Sequence, residues 1–226
     1  MSEPESKRPL LVPGTVAFAA VGAIVIAAAL STINLWGSSG SSAEPLVKKP
    51  QVLRSGDLRL SQTPTDRTEF VAFMDFECER CAALYPYIDQ LQRTYAGEVT
   101  FAIRHFPEAG HTSAVDAALA VEAAARQGKL GEMASKLYET QSEWGEAMES
   151  QREVFAGFAR DLGLNMKRYR EDLSDPRLAA RIAFDRREGM ALGLASAPGL
   201  FLDGESYLLP ESFVDMQEEI NAALES

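Results

Sequence analysis

Phe70-Val71-Ala72-Phe73-Met74-Asp75-Phe76-Glu77-Cys78-Glu79-Arg80-Cys81-Ala82-Ala83-Leu84-Tyr85-Pro86 is the stretch that decides the fold. Its first part, Phe70 to Phe76, reads as a central buried strand because it offers no regular polar face to water. A helical stripe follows: Leu84, Ile88, Leu91 and Tyr95. Between the two lie the only cysteines of the chain, Cys78 and Cys81. Cys78 is therefore expected where a strand hands over to a helix N-terminus, whose unpaired N–H groups and dipole favour a thiolate over a thiol. Such a position lowers a cysteine pKa from about 8.5 into a range of roughly 3.5–7.5. A thiolate there, with a second thiol one turn along, can attack a disulfide and then resolve the mixed intermediate. The competing reading is an inert bridge, which restrains the unfolded chain little because its loop is so short.

Downstream, Val99-Thr-Phe-Ala-Ile-Arg-His105 alternates, with Val99, Phe101, Ile103 and His105 expected on one face. It completes a β-α-β unit, whose crossover makes the two strands parallel. Five helical patterns follow. Ser113 with Asp116, and Ser150 with Glu153, resemble capping boxes. Leu130, Met133, Leu137, Tyr138 and Trp144 form one stripe, Met166, Tyr169 and Leu173 another. Asp175 and Pro176 open the last, with Leu178, Ile182 and Met190. Leu200 to Leu202, Asp203-Gly204 and Ser206 to Leu209 read as a hairpin, since Asp-Gly suits a two-residue turn with positive φ. Phe213, Met216, Ile220 and Leu224 mark a terminal helix. Upstream, Val52-Leu53 and Leu58 to Leu60 are short possible strands.

Strand, C-x-x-C, helix, a proline at Pro86, and a distant Ser196-Ala197-Pro198-Gly199 loop leading into a strand occur in a familiar order. The chain resembles the thioredoxin superfamily and, within it, the DsbA-like thiol:disulfide oxidoreductases of the bacterial cell envelope, from Glu69 to Leu224. The resemblance implies an α/β, thioredoxin-like fold with an inserted helical domain at about 107–194 that roofs the active site. It also implies a cis bond before Pro198, with Ala197 supplying backbone contacts to an extended substrate strand. Two positions depart from the family pattern. Gly199 follows the proline where a β-branched or polar residue is usual. Ala72 stands where many members carry a buried carboxylate that relays a proton to the resolving thiol, leaving Asp75, Glu77 or water as substitutes.

Net charge is −11, which argues against a nucleic-acid partner because phosphate repels such a surface. Two cysteines exclude a disulfide framework and a four-cysteine zinc site. No pattern suggests a metal cluster, a phosphate loop, a hydrolase triad or any other cofactor. Residues 10–36 carry no charge and exceed the ~20 residues that span a bilayer. They are expected to form a transmembrane anchor, or an uncleaved signal, after a cytoplasmic tail at 1–9 and before a flexible linker at 37–50. Ser41-Ser42-Ala43 offers an alternative cleavage site. Lys7 and Arg8 favour a cytoplasmic N-terminus but are offset by Lys48 and Lys49. The cysteine pair decides the orientation, since disulfides persist outside the cytosol.

The expected protein is thus a membrane-anchored, single-pass, extracytoplasmic thiol:disulfide oxidoreductase, with its catalytic domain at 51–226. Cys78 is the exposed nucleophile and Cys81 the resolving thiol. Arg80 stabilises the thiolate and Glu79 opposes it. Partners are cysteine-containing proteins and a redox protein that reoxidises the pair. An oxidant role is expected; a reductase or isomerase role, or a tethered binding module with a structural disulfide, are the alternatives. His105, His111, Tyr138 and Trp144 are read as structural.

Overall fold

The computed structural model describes residues 51–64, 68–210 and 212–226. The expected tail, anchor and linker lie outside them, and no helix among the described residues is long and apolar enough to cross a membrane. Five strands form one mixed sheet in the order β1-β3-β2-β4-β5. Strand β2 (Glu69–Met74) sits at its centre, parallel to β3 (Thr100–His105) and antiparallel to β4 (Gly199–Leu202). The outer strands are β1 (Leu58–Ser61) on β3 and β5 (Glu205–Tyr207) on β4. The β-α-β unit is completed by α1 (Glu79–Thr94), which buries Cys81, Leu84, Tyr85, Ile88 and Leu91 and runs through Pro86.

Strand β3 is buried on both faces, so the expected one-sided alternation does not hold. Its second face is covered because α7 (Pro176–Ala191) packs across it. Gly189 permits that approach: a Cβ there would stand 2.7 Å from the Phe106 ring and 3.1 Å from Phe73. Between β3 and β4 also lie α2 (Ala114–Ala125), α3 (Leu130–Glu139), α4 (Gln141–Trp144), α5 (Arg152–Asp161) and α6 (Met166–Leu173). Helix α2 is alanine-rich and almost wholly buried, and its short side chains let α3, α5, α6 and α7 all pack on it.

Neither expected capping box forms. Ser113 precedes α2 without a side-chain cap, and Asp116 instead accepts from Ser150 Oγ at 2.5 Å and Arg152 Nε at 2.7 Å. That pairing takes Ser150 away from α5, which starts behind Gln151. Asp175 does cap α7, accepting from Arg177 N, with Pro176 in the first turn. Met190 is exposed rather than part of the stripe. Val52 and Leu53 are buried but not in a strand. The hairpin turns at Asp203 (φ 49°) and Gly204 (φ 80°), as Asp-Gly predicts, though β5 is shorter and ends at Tyr207. Helix α8 (Phe213–Glu225) closes the chain, burying Met216 and Ile220.

Candidate active site

Strand β2 ends at Met74, and the next seven residues build the site. Asp75 C=O accepts from Cys78 N at 3.3 Å, turning the chain, and Cys78 becomes the N-cap of α1. The helical insertion holds this turn in place. Gln141 Nε2 donates to the carbonyls of Phe76 (2.8 Å) and Cys78 (3.1 Å). Tyr138 OH donates to Asp75 O at 3.3 Å, and Glu77 Oε2 accepts from Ser113 N at 2.7 Å. Tyr138 and Trp144 are thus packing residues, Trp144 lying edge-on to Phe155.

Cys78 and Cys81 are both unlinked. The Cys78 thiol is held down to a pKa of about 6. A hydrogen bond from Cys81 is the main cause, outweighing the cost of burial, and the N–H groups of Cys81 and Arg80 add to it. Cys81 is pushed in the opposite direction, chiefly by burial and then by its bond and charge interaction with Cys78. One sulfur is therefore poised as thiolate and the other as its proton-bearing donor. Cys78 is not as exposed as expected, with only 6 % of its surface accessible against 0 % for Cys81. It reaches solvent through a cavity of about 440 Å³ lined by Glu77, Glu79, Arg80, Glu108, His111 and Met148, among others.

The two residues between the cysteines act differently from expectation. Arg80 does help the thiolate, but through its backbone N–H. Its guanidinium turns to the opposite wall, donating to Ala197 O at 2.7 Å and Ser196 Oγ at 3.1 Å. Glu79 points into solvent with no hydrogen bond or ion pair among the described residues, and the carboxylate that works against the thiolate is Glu108. Proximity along the sequence misleads here because a helix N-terminus projects its first side chains outward.

The Ala197–Pro198 peptide is cis, and Ala197 O lies 3.7 Å from Cys78 Sγ. Sequence reasoning thus brings together Cys78, Cys81, Ala197 and Pro198. Gly199 has a local reason: a Cβ there would stand 2.5 Å from both terminal methyls of Leu194.

Ala72 is fully buried and lies in register between Ile103 and Leu200, so nothing polar replaces the absent carboxylate at that point. Three residues on, Asp75 is equally buried and directly below the sulfurs, its N–H pointing at Cys81 Sγ at 3.5 Å. Asp75 Oδ1 accepts from Glu77 N at 2.8 Å, and Oδ2 accepts from Glu108 N and pairs with His111 Nδ1, both at 2.7 Å. Burial alone would lower the His111 pKa, but the bond to Asp75 and the charges of Asp75, Glu77 and Glu108 raise it. His111 was not singled out from sequence and lines the cavity; His105, the more plausible candidate by position, is buried against Glu122 at 3.0 Å. The ligand atoms of Asp75, Glu108 and His111 lie within 4.8 Å of one another, the set among the described residues that could hold a metal ion.

A family model described as thioredoxin matches residues 64–222. Curated relatives include a protein named Na(+)/H(+) antiporter NhaA from Herminiimonas arsenicoxydans, 30% identical over 75% of this chain and 26% of that one. Another, NhaA 1 from Mycolicibacterium vanbaalenii, is 32% identical over 59% of this chain and 21% of its own length. The chain thus spans about a quarter of the curated relatives it matches. Among solved structures, the thiol-disulfide exchange protein alpha-DsbA2 from Wolbachia pipientis superposes with a TM-score of 0.66 at 17% identity, over 77% of this chain and 90% of that one. BdbD from Bacillus subtilis does so with a TM-score of 0.65 at 16% identity, over 79% and 97%. These structural likenesses show the fold.

Proposed function

From the premise that the chain belongs to the thioredoxin family, we propose that it is a thiol:disulfide oxidoreductase whose Cys78–Cys81 pair oxidises cysteines of other proteins. The observation that carries this reading is the asymmetry of the pair: Cys78 opens to a cavity at a helix N-terminus while Cys81 is sealed behind it. In the oxidised protein a client thiolate attacks Cys78 Sγ, breaking the Cys78–Cys81 bond and forming a mixed disulfide. Cys81 leaves as a thiolate and, with so strong a preference for its protonated form, takes up a proton at once. Delivery of that proton is assigned to the Asp75–His111 pair, a reading supported by His111 lining the cavity and by Asp75 N–H lying 3.5 Å from Cys81 Sγ. A second client thiol then attacks the client sulfur and expels the Cys78 thiolate. Two electrons pass from client to protein. Of the client's two protons, one is balanced by that taken up on Cys81 and the other stays in solvent while Cys78 remains a thiolate. A redox partner of the same chemistry must remove the electrons.

Stabilising the departing thiolate stabilises the reduced protein, which favours the oxidant direction over the reductase one. A Cys78 pKa of about 6 lies between the ~7 of thioredoxin and the ~3.5 of DsbA. The reduction potential is accordingly expected between about −270 and −120 mV. Equilibration with glutathione measures it, and a value at the thioredoxin end of that interval, about −270 mV, or below it overturns the oxidant reading. The uncharged segment 10–36 supports a membrane anchor with the catalytic domain outside the cytosol, where client disulfides persist.

The antiporter names of the curated relatives favour a second reading, a thioredoxin-fold module that binds or regulates a membrane protein. Cys81→Ser separates the two. An exchanger accumulates mixed disulfides through Cys78 on non-reducing gels, and a binding module does not.

A further inference from the structure

Ala197 has two backbone groups beside the reactive sulfur, and both are already engaged. Its C=O accepts from Arg80 Nη2 at 2.7 Å, and its N–H donates to Glu108 Oε1 at 2.6 Å. A side-chain donor and a side-chain acceptor thus occupy the positions that the N–H and C=O of an incoming strand would take. Pro198 has no N–H to offer in their place. The two occupants come from different parts of the fold, Arg80 from the first turn of α1 and Glu108 from the segment after β3. Glu108 is fixed from behind as well, its own N–H donating to Asp75 Oδ2 at 2.7 Å. Arg80 is exposed and Glu108 half-buried, so each has water to turn to on release.

Resting on the exchange reading above, we propose that Arg80 and Glu108 form a two-residue gate that a polypeptide client must displace before it can pair with Ala197. They are then residues that set the preference between polypeptide and small-molecule thiols. Hydrogen bonds to charged groups are roughly twice as strong as those between neutral groups, so the gate competes effectively with a client's neutral backbone. A thiol with no backbone reaches Cys78 through the cavity past Arg80 and Glu108 without having to displace either from Ala197. Arg80 thereby has a task that its place between the cysteines conceals: its side chain governs docking while its N–H supports the thiolate.

The test uses the full oxidised chain and two reductants, 2-mercaptoethanol and an uncharged, blocked five-residue peptide with a central cysteine. The quantity read is the ratio of the peptide rate to the 2-mercaptoethanol rate, which cancels changes in potential or thiol acidity common to both. Arg80→Ala and Glu108→Ala are each expected to raise this ratio about threefold or more, and the double variant further. Glu108→Gln, which keeps an acceptor oxygen but loses the charge, is expected to raise the ratio less than Glu108→Ala and guards against a folding artefact. N-methylating the peptide backbone next to its cysteine should erase the gain. An unchanged ratio with both thiols reactive removes the gate alone, and a falling ratio assigns Arg80 or Glu108 to client binding instead. No reduction by either thiol removes the exchange reading and the gate with it.

Discussion

Two groups of charged side chains meet near the adjoining ends of β2 and β3, and they handle charge in opposite ways. In the first, Arg104 is wholly buried and donates to Asp185 Oδ1 through Nε (3.0 Å) and Nη2 (2.7 Å), and to Val52 O at 3.1 Å. Beside it, His105 Nε2 meets Glu122 Oε1 at 3.0 Å, and Arg181 Nε lies 2.9 Å from the same oxygen. Burial pushes the Glu122 pKa up, but His105 and Arg181 overcome it and hold the group below its usual value. Every charge there faces a partner of opposite sign. The second group surrounds Cys78, where the strongest support for the sulfur comes from neutral groups: a neighbouring thiol and two backbone N–H groups stabilise it, while burial and Glu108 oppose. Full pairing makes a charge inert and structural. An anion held chiefly by neutral donors stays available for attack.

Breaking each group in turn should therefore damage different properties. Cys78→Ser is expected to lower exchange with any thiol by more than about 10³-fold, since no covalent route remains, and to leave the melting temperature of the reduced protein at pH 5 close to wild type. Asp185→Ala should do the reverse. It strands the Arg104 guanidinium in the core, at a cost of about 3–5 kcal/mol in denaturant unfolding, while the midpoint of Cys78 alkylation stays in place. Equal loss of activity and stability in both variants would dissolve the distinction.

Asp75→Asn sharpens it further, because Asp75 is buried like the first group but serves the second. Removing its charge should slow resolution of a Cys78 mixed disulfide about 10²-fold, with more of the loss at pH 6 than at pH 8, where hydroxide helps to deprotonate Cys81. Stopped-flow rates at the two pH values check this. The smallest effect is on stability against pH. In the folded, reduced protein Cys78 ionises near pH 6, and in the unfolded chain only near ~8.5. The folded state therefore gains a stabilising contribution that is complete above ~8.5 and is lost as pH falls through 6. Melting of the reduced protein, compared with reduced Cys78→Ser, should show an advantage at pH 9 that disappears by pH 5.

What could be read from sequence follows the range of each interaction. The strand–Cys78–helix junction and the Asp203-Gly204 turn were legible because neighbours along the chain determine them. The cis loop at Pro198 was legible by resemblance, being a landmark of the family. The capping boxes failed where a distant partner competed: Ser150 and Arg152 took Asp116 from across the fold. The same cause hid His111 and Glu108, whose roles depend on a loop returning to Asp75. One signal was available, for Asp75 is a lone acid at the end of an apolar strand, and such a residue needs several donors from elsewhere in the chain.

Strand β2 is pinned at both ends. Asp203 grips its start, accepting from Glu69 N at 2.7 Å and donating to Glu69 O at 2.9 Å, while Gln141 and Tyr138 grip the turn beyond its finish. A client covalently joined to Cys78 and tugged by its own folding or export would pull along this strand. The load would pass sideways into β3 and β4 together, with all their cross-strand bonds sharing it at once. Such an anchorage lets the sulfur be hauled upon without the sheet unzipping one bond at a time.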